Sequence, residues 1–196
     1  MKTNIDCGTA SLSRSAAIIS LCVLVWAGPA TADQTDQRLA GMFFELANAG
    51  NPIAANRIEQ EIWAIWLQAP DPEVTEWLDE ARAATNSGAI TSALEIFDRV
   101  TAAYPNFAEG WNQRAIMHFL LGDFESSLSD IARTLELEPR HFGALAGSGQ
   151  CYFHLELFQE SLIAFEAALQ VNPWLSSARQ QVEMLRAYLK QQQTPI

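Results

Sequence analysis

The amino-acid sequence predicts an all-α fold, a solenoid in which antiparallel helix pairs stack one on the next. The first observation is a set of equally spaced prolines: Pro105, Pro139 and Pro173 are 34 residues apart. The second is that apolar residues, such as Leu128 and Ile131, recur at intervals of three and four, which is helical spacing. The third is the period itself, because a unit of about 34 residues suits two helices joined by a turn.

The length and the net charge of the chain limit the functions that it can have. The chain has 196 residues, 49% of them hydrophobic, which is enough for one domain with a continuous core. Its 23 acidic and 12 basic residues give a formal charge of −11. Phosphate binding depends on Lys and Arg, so we expect no nucleic-acid partner and no anionic membrane surface. The charge favours a basic or neutral protein or peptide partner.

Residues 1–32 are typical of a secretory signal peptide. Lys2 and Arg14 precede an apolar run, and Ala30-Thr31-Ala32 offers small residues for cleavage after Ala32. The run is short for a membrane span, which needs about 20 residues, although an uncleaved anchor is the alternative. We therefore expect a periplasmic protein with no transmembrane segment in the mature chain. Cleavage leaves Cys151 as the single cysteine, so no internal disulfide can form.

Residues 33–72 predict a degenerate helical repeat ahead of the regular ones. Phe43 lies 34 residues before Trp77, in the register of the later repeats. Asn51 followed by Pro52 is the pattern of an N-cap with proline at the first helical position. We expect this pair to close the N-terminal end of the stack, and residues 69–72 to link it to the first regular repeat.

Three regular repeats follow, at residues 74–107, 108–141 and 142–175. In each, a small residue on the first helix should allow its partner helix to approach closely, and a second small residue should meet it from the other helix. A glycine should end the first helix, because glycine tolerates the left-handed conformation there. The first small residues are Ala81, Ala115 and Gly149, the second are Ala93, Ser127 and Ser161, and the turn residues are Gly88, Gly122 and, exceptionally, Glu156.

Residues 176–190 predict a capping helix, which a solenoid needs because its last repeat would otherwise expose an apolar face. Val182, Leu185 and Leu189 supply the apolar stripe of that helix. Residues 191–196 are expected to be a flexible tail.

Taken in register, the second and third repeats resemble the tetratricopeptide repeat (TPR) family. The matching residues of the second repeat are Trp111, Ala115, Gly122, Phe124, Leu128, Leu135 and Pro139. The stretches 107–112 and 139–147 also resemble small signal-bearing TPR proteins of alphaproteobacteria. The resemblance implies a right-handed superhelix whose concave groove is lined by the first helix of each repeat. It implies no defined biochemical activity.

The resemblance also implies which side chains face the groove. Amides there can hydrogen-bond a peptide backbone, aromatics can anchor it, and glycines can leave room for a bound helix. The candidate partner-binding residues are Leu78, Arg82, Asn112, Gln113, Ile116, Phe119, Gly143, Gly147, Gln150, Phe153 and His154.

One known TPR binding mode is not expected. Chaperone-binding members hold a terminal carboxylate with Lys, Asn, Asn, Lys and Arg, in that order, at five set positions of the groove. The corresponding positions here are Leu78, Arg82, Gln113, Gly143 and Gly147, and none has the expected type.

Catalytic and metal chemistry is not indicated either. Cys151 and His154 share a helix at a ligand-like spacing, but two ligands are too few for structural zinc. We expect no metal, no cofactor and no enzymatic activity, because no catalytic constellation converges.

The leading hypothesis is a non-catalytic periplasmic scaffold or adaptor, taken as a monomer, that binds a partner segment in the concave groove. The alternative is an assembly factor or chaperone that captures a client's terminal helix, as in cytochrome maturation or envelope-complex assembly.

Overall fold

A computed structural model describes residues 34–192, and this range contains nine α-helices and no strands. The expected signal peptide lies outside the described residues. Within them, no helix is both long enough and apolar enough to cross a membrane. The helices are α1 (Arg38–Ala47), α2 (Pro52–Trp66), α3 (Pro72–Asn86), α4 (Ile90–Ala103), α5 (Ala108–Leu120), α6 (Phe124–Leu137), α7 (Phe142–His154), α8 (Phe158–Val171) and α9 (Ser176–Gln192).

Helices α3 to α9 form the repeat stack, in which each helix packs on the next along the chain. Close approach within a pair depends on the small residues. A Cβ atom built on Gly149 would lie 2.9 Å from the ring of Phe165, so the two helices meet there with no space to spare. Ser161 donates its hydroxyl proton to the carbonyl oxygen of Gly149 at 2.7 Å, which ties the pair together at the same level. Ser127 does the same to Ala115 at 2.8 Å in the preceding repeat.

The turn between the two helices of each repeat contains one residue in the left-handed region. Gly88 has φ 79° and Gly122 has φ 80°, while Glu156 takes the same role in the third repeat with φ 60°. Glu156 carries a Cβ atom that is disfavoured in this conformation. The third repeat therefore keeps the turn geometry of the other two at a cost in backbone strain.

Helix α9 lies against α8. Val182 and Leu185 are buried there with Leu162 and Phe165, which covers the apolar face of the third repeat. The helix continues through Gln192, so the first two residues of the segment expected to be a flexible tail are helical.

Helices α1 and α2 form a hairpin, which we call the N-terminal hairpin. The side chain of Asn51 caps α2 by accepting a hydrogen bond from the backbone N–H of Ala54 at 2.9 Å. The hairpin does not pack along α3 at the end of the stack, where the spacing argument placed it. Its apolar residues, including Phe43 and Trp66, instead share a core with Phe142 at the start of α7. The short link 67–71 allows this, because it lets the hairpin fold back across the repeats.

Candidate partner-binding groove

The concave groove is formed by α3, α5 and α7, the first helices of the three regular repeats. Helix α5 divides it into two cavities. The apolar cavity lies between α5 and α7 and is floored by α6. The wide cavity lies between α3 and α5 and is bordered by the link that follows α2.

The apolar cavity has a volume of about 150 Å³. Ile116 and Phe119 form one wall and Gly147 the other, with Ile131 at the floor. An apolar cavity of about this volume admits a group the size of benzene. The arrangement can therefore bury one apolar side chain of a bound segment. It contains the predicted residues Asn112, Ile116, Phe119, Gly143, Gly147 and Gln150.

The wide cavity, of about 570 Å³, has a more polar lining. Arg82 forms an ion pair with Asp79, one helical turn away on α3. Both side chains are exposed, at 69% and 62%, so each charge remains available to a bound polar group. The cavity contains the predicted residues Leu78, Arg82 and Gln113.

Asn112 and Gln113 belong to a buried polar network centred on the carboxylate of Glu109. The amide of Asn112 donates to both oxygens of Glu109 at 3.2 Å, and that of Gln113 donates to one of them at 2.5 Å. His141 Nδ1 accepts from the backbone N–H of Ala144 at 3.0 Å, so its proton is on Nε2 and is donated to Glu109 at 2.9 Å. The buried amide of Asn112 is therefore committed inside the protein, whereas the half-buried Gln113 uses one of its two N–H donors on Glu109 and lines the wide cavity.

Gly143 faces a side chain of the chain itself. A Cβ atom built on Gly143 would lie 2.6 Å from the indole ring of Trp63 on α2. The room that the sequence pattern reserved for a ligand is thus filled at this point by the N-terminal hairpin. Trp63 also lines the apolar cavity and forms its border at this end.

Phe153 and His154 line neither cavity. His154 stacks on Phe124 with ring centroids 4.8 Å apart, and Phe153 packs edge-on against Phe158 at 5.7 Å. The aromatic rings of these two predicted residues therefore serve the junction between helices at the far end of the groove.

The residues beneath the apolar cavity offer no activated nucleophile. The thiol of Cys151 is buried and donates to the hydroxyl of Ser127 at 3.3 Å. Burial raises the pKa of the Cys151 thiol, which keeps it protonated and unreactive at neutral pH. No group of three or more side chains able to ligate a metal occurs within residues 34–192. This arrangement can bind a segment by shape and by polar contacts.

Sequence reasoning missed the part of the groove supplied by the N-terminal hairpin and its link, and it also missed second-helix residues such as Ile131 and Phe97. Trp63 borders the apolar cavity, and residues 67–69 border the wide one. One signal was present: Trp63 and Trp66 are three apart, which places both indoles on one side of a helix.

Comparison with known proteins agrees with this architecture. The Tetratricopeptide repeat family matches residues 78–133 and 121–173. A TPR repeat-containing protein of Rhizobium etli is 35% identical over 152 residues, which cover 76% of this chain and 73% of that protein.

Two solved structures share the fold. The Sgt2 TPR domain of Aspergillus fumigatus has a TM-score of 0.60 at 17% identity, over 65% of this chain and 89% of that one. The first TPR of Spaghetti (RPAP3), bound to an HSP90 peptide, has a TM-score of 0.57 at 19% identity, over 59% of this chain and 92% of that one.

Proposed function

The chain belongs to the tetratricopeptide repeat family, and from that premise we propose that it is a non-catalytic periplasmic adaptor that binds a segment of a partner protein in its concave groove. The observation that carries the proposal is the pair of open cavities on either side of α5. One cavity can take an apolar side chain, and the other offers the exposed ion pair of Arg82 and Asp79 to polar groups. The peptide-bound TPR of Spaghetti supports the same use of the fold.

The chemistry of the partner follows from the lining. An apolar anchor fits between Ile116 and Gly147, where it would be desolvated on several sides. Polar or basic groups of the same segment would lie over α3, because Glu76, Asp79 and Glu80 give that helix a negative balance. The formal charge of −11 supports a basic partner in the same way.

Site-specific photo-cross-linking tests this function, with a photoreactive residue replacing Ile116 in cells that express the chain. Ile116 is 39% exposed and lines the apolar cavity. The matched control is Ile163, which is 57% exposed on α8 and lines neither cavity. We expect one partner to be captured from position 116 and not from position 163. Equal capture from both positions would contradict a groove site.

The proposed location has its own test. The signal-like segment and the small residues before Asp33 support export and cleavage after Ala32. Amino-terminal sequencing of the protein recovered from the periplasmic fraction should begin at Asp33. Recovery of the uncleaved chain from the membrane fraction would favour an anchored form instead.

A second candidate function is an assembly factor that captures a client's helix, as in cytochrome maturation or envelope-complex assembly. The observation that favours it is the contact between Trp63 and Gly143, since this end of the groove already receives a side chain from a helix of the chain itself. A single stable client with a helical terminal segment, identified at position 116, would favour this function over a general adaptor.

A further inference from the structure

The N-terminal hairpin covers one end of the concave groove through two indole rings. Trp63 contacts Gly143 so closely that a Cβ atom there would lie 2.6 Å from the ring. Trp66 is 1% exposed and stacks on the imidazole of His141, with centroids 4.1 Å apart and planes 12° from parallel. Both rings also pack against Phe142, at 5.5 Å and 5.1 Å. The start of α7 is therefore a receptor for two aromatic rings.

Polar contacts surround these rings at the rim. The amide of Asn172 donates to Glu59 Oε2 at 2.9 Å. The indole N–H of Trp174 donates to the carbonyl oxygen of Leu46 at 3.0 Å, which satisfies a group at the end of α1. The guanidinium of Arg140 lies 4.5 Å from the ring centre of Phe43. The hairpin is thus recognised by shape, by hydrogen bonds and by charge, as a bound ligand would be.

The attachment of the hairpin differs from the packing of repeats. Its helices do not run side by side with α3, and within residues 34–192 the hairpin is joined to the stack through the short segment 67–71. The contacts with the third repeat come from large side chains reaching across the groove, with Gly143 supplying the space for one of them. A docked element of this kind can exchange with another helix that offers the same side chains.

We propose that the N-terminal hairpin is an intramolecular ligand, and that the surface it covers is a binding site for a partner helix with two aromatic residues three positions apart. This proposal rests on the proposed function and names the kind of partner for this end of the groove. The surface is formed by His141, Phe142, Gly143, Asn172 and Trp174. We expect a partner helix to share the pattern of α2, in which an acidic residue, Glu59, lies one turn before the first of the two indoles.

The tether decides how a partner gains access. A link as short as 67–71 holds the hairpin near its site at an effective concentration on the order of millimolar. A partner helix therefore competes with the hairpin, and its apparent affinity equals the intrinsic affinity multiplied by the fraction of molecules in which the site is open. Weakening the hairpin should raise the affinity for a helix supplied from outside.

The test uses full-length chains and a fluorescent synthetic peptide of residues 34–68. Its binding is measured by anisotropy to the wild-type chain and to the Trp66→Ala variant. This substitution weakens the attached hairpin but leaves the receiving surface on the third repeat unchanged. We expect the peptide to bind the variant at least tenfold more tightly than the wild type. A control peptide with both Trp63→Ala and Trp66→Ala should bind the variant at least tenfold more weakly than the unmodified peptide.

Two further chains keep the result interpretable. Trp77→Ala removes a half-buried indole from α3, away from the hairpin site, and should bind the peptide as weakly as the wild type does. Glu59→Ala loosens the hairpin through a single rim contact, and it replaces Trp66→Ala if that variant does not fold. Equal affinity of the peptide for wild type and loosened variant, or equal affinity of the two peptides, would overturn the proposal. Either result leaves cross-linking at Ile116, and with it the proposed function, unaffected.

Discussion

The repeat stack and the N-terminal hairpin are both built from antiparallel helices, but they are held in opposite ways. In the stack, helices adjacent in the chain are adjacent in space, and small residues such as Gly149 let them approach directly. The hairpin is held by distant residues: the carbonyl oxygen of Leu46 accepts a hydrogen bond from Trp174, 128 residues later in the sequence, and large aromatic rings fill the space between the hairpin and the third repeat. The comparison shows that a repeat protein can use its own non-repeat segment to fill part of its groove.

The difference also separates two kinds of stability. Repeats that contact only their neighbours contribute a sum of similar local terms. The hairpin depends on one distant surface, and its two helices together with the start of α7 share a single core. We therefore expect the hairpin to respond as a unit to changes that leave the stack intact, and the following predictions test that separation.

The largest expected effect comes from truncating a buried aromatic residue in each region. Trp66→Ala should weaken hairpin docking by about 3–5 kcal/mol, because a fully buried indole leaves a cavity. Hydrogen exchange measured by mass spectrometry should then rise in α1 and α2 while α5 to α8 keep their protection. Phe165→Ala, a truncation inside the stack, should instead raise exchange in α7, α8 and α9. A rise across all helices in both variants would show that the regions unfold together.

Two glycines of α7 allow a sharper comparison, because one faces an aromatic ring of the hairpin and the other faces a ring of the stack. Gly143→Ala places a methyl group against Trp63, and Gly149→Ala places one against Phe165. Each should cost about 1–3 kcal/mol, because the ring must move in a packed environment. Protease cleavage of the link 67–71 should accelerate in Gly143→Ala only, while the urea midpoint of the stack should fall in Gly149→Ala only. Acceleration by Gly149→Ala would contradict independent docking.

Single hydrogen bonds give a smaller contrast. Ser161→Ala leaves the carbonyl of Gly149 without its side-chain donor and should lower the free energy of unfolding by about 1 kcal/mol. Glu59→Ala removes the acceptor of Asn172 and should loosen the hairpin by a similar amount, about 1 kcal/mol. Urea denaturation followed by circular dichroism measures the first, and exchange in α2 measures the second. Unchanged hydrogen exchange in α2 after Glu59→Ala would show that the hydrogen bond between Asn172 and Glu59 does not stabilise the docked hairpin.

The smallest expected effect is a gain in the stability of the stack. Glu156→Gly should stabilise the stack by about 0.5–1 kcal/mol, because the relief of the Cβ clash at positive φ exceeds the greater entropy of glycine in the unfolded chain. The thermal midpoint should rise slightly, whereas exchange in α1 and α2 should be unchanged. A lower midpoint would mean that the Glu156 side chain has a stabilising contact that outweighs its backbone strain.

The sequence predicted the stack far better than the hairpin, for a physical reason. A 34-residue period records contacts between neighbours, so Pro105, Gly122 and Ser127 could be placed on their turns and helix faces in advance. The apolar stripe of α2 shows that it is buried but not what buries it. The sequence predicted that Gly143 leaves room for a partner, and nothing local indicates that Trp63, 80 residues earlier, occupies that room.

The groove was predicted in part for the same reason. The faces of α3, α5 and α7 follow from the repeat register, which is why Leu78, Ile116 and Gly147 line cavities. Asn112 and Gln113 both donate to Glu109, which is held by His141 from the far end of the same repeat. That arrangement is a tertiary contact, and a single-sequence pattern does not contain it.

The bond between Leu46 and Trp174 also has a consequence in time. These residues are 128 positions apart, so at a synthesis rate of about 5–20 residues per second Trp174 is made roughly 6–25 s after Leu46. During that interval Phe43, Trp63 and Trp66 can contact one another but lack the distant surface that covers them in the finished fold, while the first repeats can already fold on their neighbours. The two helices that are made first must therefore wait for the end of the third repeat, and part of their aromatic surface is open to other proteins in the meantime.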